Sequence, residues 1–243
     1  IDDVDPDAVH VARETLRKAL AATHSGALRE IYQSLKSNEP YSPDAGPSGR
    51  RALRNMCLRY LAAEDTKETR TLAFEQFRSA DNMTDKIGGL APLSDMNGEE
   101  RDLALKQFYE QWKANPLVVD KWMSLQAMSC RPDTLSQVEG LTKHAAFNIE
   151  NPNRVRALVG AFVMNNQLRF HAADGAGYRF LADRVVQLDG LNPQVAARLC
   201  GAFETWRRFD GKRQTLMREQ LMRIKDAPGL SRNVSEITEK TLG

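Results

Sequence analysis

The chain has 243 residues, 42% hydrophobic and 27% charged, which is enough to bury a large core and ordinary for a soluble globular protein. Basic residues number 34 and acidic residues 32, so a net charge of +2 gives no reason to expect a nucleic-acid partner. No apolar run of about 18 residues occurs, so no membrane span is expected.

The predicted elements are helical from end to end. Asp5-Pro6 supplies an N-cap and a first-turn proline, and Val9, Ala12, Leu16 and Leu20 then recur at helical spacing. Next comes SNEPYSPDAGPSG, Ser37 to Gly49, whose prolines and glycines predict a long irregular loop. Leu53, Met56, Cys57, Tyr60 and Leu61 form a second stripe, and Leu72, Phe74 and Phe77 a third that ends near Asp81-Asn82. A break is expected from Gly88-Gly89 to Gly98. Leu103, Leu105, Phe108, Tyr109 and Trp112 mark another helix, and Val118, Trp122, Leu125 and Met128 the one after it. The pairs Val118-Val119 and Val185-Val186 lie inside helical patterns, so their β-branching does not predict strands. Further breaks are expected at Arg131-Pro132, Asn148 to Pro152, Asn165 to Gly177, Gly190 to Pro193 and Pro228-Gly229.

Asn-Pro recurs at 115, 151 and 192, each time ahead of a new apolar run. Asparagine caps well and proline is pre-set for the first turn, so each pair predicts a helix start. A period near 40 residues holding two helices is the size of a HEAT-like or armadillo-like unit. The expectation is all-α, one domain over 1–243: an irregular superhelix of stacked antiparallel helix pairs with a concave inner face.

Little chemistry is visible in the residues. His10, His24, His144 and His171 make no H-E-x-x-H pair, and Cys57, Cys130 and Cys200 are odd in number, far apart and outside any zinc spacing. Buried free thiols in a reducing compartment are expected, which fits the cytoplasm. The chain opens at Ile1 and not at Met, so its true N-terminus is expected to be missing, and the lack of a signal peptide says little about location. FHAADGAGYRF, residues 170 to 180, invites a phosphate-loop reading, but a third glycine is lacking and no strand precedes it. It is expected to be a sharp turn in which His171 and Asp174 meet and cap the helix starting near Tyr178. Trp206 to Lys225 is rich in Arg and Lys. Its basic residues are expected to cover a solvated helix face, with Trp206 and Phe209 turned to the core and no nucleic acid bound.

Six stretches together carry a resemblance: RALRNMCLRYLA (51–62), ADNMTD (80–85), LVVDKWMSLQA (117–127), NPNRVRALVGAF (151–162), FHAADGAGYRFLAD (170–183) and NPQVAARL (192–199). The chain resembles the C-terminal domain of bacterial aminopeptidase N, a zinc metallopeptidase of the gluzincin class. The resemblance implies a fragment. The family's zinc ligands and its amine-binding G-A-M-E-N loop belong to a separate catalytic domain, and neither motif is in this chain. No catalytic residue, metal ligand or cofactor is therefore expected here, with zinc held by the parent enzyme. The family's terminal domain is a helical superhelix that closes over the catalytic domain and admits peptides. By motif position the resemblance implies that Arg156, Gln194 and Arg198 line the substrate cavity. The arginines would hold a peptide's C-terminal carboxylate, and Gln194 would lie near the N-terminal side chain. Arg156 and Arg198 also fall early in two Asn-Pro helices one repeat apart, where stacked units place equivalent positions on one side. The alternative for both arginines is a scaffold role, paired with neighbouring acids. The implied partners are the other domains of the parent and peptide substrates. The competing function is a free-standing helical-repeat scaffold for protein partners.

Overall fold

The computed structural model describes residues 2–243, and among them it holds no β-strand, only an isolated bridge between Val4 and Phe209. The helices fall into two compact units: His10–Lys113, and the residues up to Val9 together with Ala114–Gly243. The division lies inside the first helix, α1 (Pro6–Thr23).

The His10–Lys113 unit continues with α2 (Ser25–Ser34), α3 (Ala45–Leu61), α4 (Lys67–Ser79), α5 (Met83–Asp95) and α6 (Glu99–Trp112). Here α2 packs on α3, and α4 on α5 and α6. Leu58, Ala73, Phe77, Leu90, Leu93 and Phe108 fill the core. Thr66 starts α4 with a capping box, and the Asn82 side chain accepts from the backbone N–H of Asp85 to start α5.

Two expectations are corrected in this unit. The Ser37–Gly49 loop is shorter than its composition implied, because α3 already begins at Ala45. Pro47 falls in the first turn, where a missing N–H removes no intrahelical bond. Gly88-Gly89 does not break the chain but sits within α5. A Cβ on Gly89 would come within 2.7 Å of the Ala73 carbonyl oxygen and the Phe77 nitrogen, so this glycine lets the α4 and α5 backbones touch. The row Val9, Ala12, Leu16 and Leu20 is helical as expected, yet it is exposed, Leu16 at 62%. Leu53 and Met56 are exposed too, while Cys57 and Leu61 of the same stripe are buried.

The second unit holds α7 (Pro116–Ala127), α8 (Thr134–Leu141), α9 (Pro152–Val155), a π-helical segment (Arg156–Asn165), α10 (Gln167–Phe170), α11 (Ala176–Asp189), α12 (Pro193–Cys200), α13 (Gly211–Lys225) and α14 (Arg232–Leu242). All three Asn-Pro pairs start helices as predicted. Asn115 accepts from the N–H of Leu117, Asn151 from those of Asn153 and Arg154, and Asn192 from that of Val195. In the stretch expected to be broken, α10 is a short helix capped by Asn166, which accepts from the N–H of Arg169. The core runs through Leu158, Phe162, Phe170, Tyr178, Leu181, Phe203 and Met217, all buried. Around it α11 packs on α12 and α13, and α14 closes against α12. No helix among the described residues is long and apolar enough to cross a membrane.

Candidate functional site

A recess of about 380 Å³ in the second unit lies between the π-helical segment and α12. That is a ligand-sized volume. Gln194 and Arg198, both on α12, and Arg156, far from them in sequence, all line it.

Local structure explains how each reaches the wall. After Asn151 and Pro152 start α9, the chain widens at Arg156 into ten residues of π-helix. Such helices are rare and usually span a single turn. Outside bonds hold this one in place. Ser124 of α7 donates its hydroxyl to the Ala157 carbonyl at 2.8 Å, and the Asn166 amide donates to the carbonyls of Ala127 and Ser129 at 2.9 and 2.8 Å. One face of the segment, Leu158, Val159, Phe162 and Val163, is buried, and Phe162 meets Phe170 and Phe180 edge-on. The other face steps by four and five residues, as an i→i+5 ladder requires. It presents Arg156, Gly160 and Ala161, then Met164 and Asn165, to the recess. Opposite, α12 buries Ala196, Leu199 and Cys200, and shows Gln194, Val195 and Arg198 to the recess.

The charges are unbalanced. Several other arginines of this unit are paired with acids: Arg154 bonds Asp120 at 2.8 Å, Arg223 pairs with Asp183, and Arg213 with Asp5, Asp7 and Asp210. Arg156 and Arg198 are exposed, and neither side chain forms a hydrogen bond or ion pair among the described residues. Two uncompensated guanidiniums over a mostly apolar floor suit an anionic ligand with an apolar body.

FHAADGAGYRF lies apart from this recess and is a turn, as expected, though built differently. Gly175 has φ of +67°, and a Cβ on Gly177 would sit 2.3 Å from the Phe170 carbonyl oxygen. Asp174 caps the N–H of Ala176 at 2.9 Å. His171 does not meet Asp174; its Nδ1 bonds the Tyr178 hydroxyl at 2.9 Å and its ring stacks on Phe209. A histidine that is 3% exposed needs a buried partner, and Tyr178 is also fully buried where Asp174 is exposed. The basic stretch departs from its expectation at one residue. Trp206 and Phe209 are buried as predicted, but Arg213 is buried as well, donating to the His171 carbonyl at 2.7 Å and tying α13 to the acids before and within α1. Two of the cysteines, Cys57 and Cys200, are buried free thiols, and burial pushes both thiol pKa values up.

Sequence reasoning missed Gly160, Ala161 and Met164. Their only signal was a glycine inside an apolar helical run.

Comparison with known proteins shows what the whole chain is similar to. The chain is similar to aminopeptidase N of Caulobacter vibrioides, 44% identical over 98% of the chain and 28% of that protein. It is also similar to aminopeptidase N of Escherichia coli, 39% identical over 99% of the chain and 28% of that protein. A solved structure of Legionella pneumophila aminopeptidase A in complex with aspartic acid superposes on the whole chain with a TM-score of 0.90 and 32% identity, over 29% of its own length. The chain thus spans under a third of these relatives. The model described as "Domain of unknown function (DUF3458_C) ARM repeats" matches residues 1–243, and the chain belongs to that family.

Proposed function

We propose that the chain is the C-terminal helical domain of an aminopeptidase N, which caps the zinc active site of its parent, encloses the substrate cavity and helps select peptides for removal of N-terminal residues. One observation carries this reading: the recess that gathers Arg156, Gln194 and Arg198 holds two guanidiniums with no counter-ion. A peptide's C-terminal carboxylate supplies the missing charge, and charge-assisted bonds to it orient the chain. Gln194 makes neutral contacts toward the substrate's N-terminal side chain. The two buried free thiols fit a cytoplasmic setting. Among the described residues no three His, Cys, Asp or Glu side chains gather as a ligand set. The part of Arg156, Gln194 and Arg198 is to bind, orient and exclude bulk water.

Arg198→Ala in the full-length enzyme is expected to raise KM for short peptides about tenfold, the worth of one hydrogen bond to a charged group. The rise for an aminoacyl reporter lacking a carboxylate is expected to be smaller. Equal losses on both substrates would refute the carboxylate role.

A further inference from the structure

Gly160 is a glycine that neither its backbone nor its packing explains. It is buried in the π-helical segment, without the positive φ that marks Gly175 and Gly229. A Cβ built on it would meet nothing closer than Arg156 Cγ at 3.5 Å, an ordinary contact, whereas one on Gly89 or Gly177 would strike backbone. Glycine inside a helix is a destabilising choice where alanine fits. What its missing side chain leaves is room for a methyl group on the recess wall, at van der Waals distance from the Arg156 stem.

We propose that Gly160 is a specificity-determining residue. The space beside it receives an apolar side chain of the ligand whose carboxylate Arg156 and Arg198 hold. The recess floor, with Ala161, Met164 and Leu199, has the matching character. The substrate class is then short peptides with an apolar residue at the carboxyl end. This rests on the peptide reading above for the identity of the ligand, and on the wall geometry for the preference.

The test uses the full-length enzyme and two matched pairs of probes. Ala-Ala-Leu and Ala-Ala-Gly report kcat/KM, and acetyl-Ala-Leu and acetyl-Ala-Gly report binding by calorimetry without turnover. Wild type is expected to favour the leucine member of each pair by about tenfold, the lower end for filling an apolar pocket. Gly160→Leu is expected to bring both ratios to about one. Gly160→Ala is expected to raise the melting temperature, as the helix gains a better former; a glycine required by packing would lower it. A leucine preference that survives Gly160→Leu in a folded protein, a lowered melting temperature in Gly160→Ala, or no binding of either acetylated peptide overturns the proposal. If wild type hydrolyses no peptide at all, the peptidase reading fails by itself, and the acetylated pair still decides the role of Gly160.

Discussion

His171 shows how one buried side chain sets a pH dependence. Burial first, and the nearby Arg213 charge second, lower its pKa from 6.5 to about 4. The charged groups around it are Arg213 and, through that arginine, Asp210, Asp5 and Asp7. Between pH 6.5 and 4 the unfolded chain takes up a proton on this histidine that the folded chain refuses. Its contribution is therefore fully present above about pH 6.5 and is lost as pH falls toward 4, about 3 kcal/mol in all. Asp210 acts with the same sign at lower pH. Burial would raise its pKa, but the hydrogen bonds and charge of Arg213, with two backbone donors, hold it below the usual carboxylate range. Urea titrations at pH 7.5 and 4.5 should show the loss in wild type, and His171→Phe should flatten it. That variant also leaves the Tyr178 hydroxyl unpartnered, at a cost of about 1–3 kcal/mol at pH 7.5. An unchanged slope in His171→Phe would assign the pH dependence to other groups.

At the level of elements, helix starts were the legible part. A cap and a first-turn proline act over three or four residues, so Asn115, Asn151 and Asn192 could be read without knowing the tertiary structure. Asn192→Ala should cost about 1 kcal/mol, seen as a lower denaturation midpoint, and should loosen the helix that carries Gln194 and Arg198. No loss of stability would mean that Pro193 alone starts α12. The π-helical segment was not legible. Nearly all of Ala157–Val163 is apolar and buried, so hydrophobic spacing there has no polar face to reveal its period. Its extra width depends on Ser124, distant in sequence, which bonds the Ala157 carbonyl. The glycines misled for a related reason. At Gly89 the decisive neighbour is another helix, and no local rule sees it. Arg156, Gln194 and Arg198 are reached by resemblance, and Arg156 and Arg198 also by their place after Asn-Pro, while Gly160 and Met164 follow only from the shape of the wall.

Across the whole molecule, frequent short breaks hid the division into two units, which lies within a helix and not in a loop. Native-state hydrogen exchange in rising urea should show His10–Lys113 and Ala114–Gly243 opening as separate cooperative blocks. A single exchange profile shared by all core amides would show them to be one. The exposed apolar row on α1 has a consequence for how the chain behaves at high concentration. With a net charge of only +2, copies repel one another weakly, and salt screens what repulsion there is. The row of Val9, Leu16 and Leu20 is then a surface on which isolated copies are expected to associate as concentration rises.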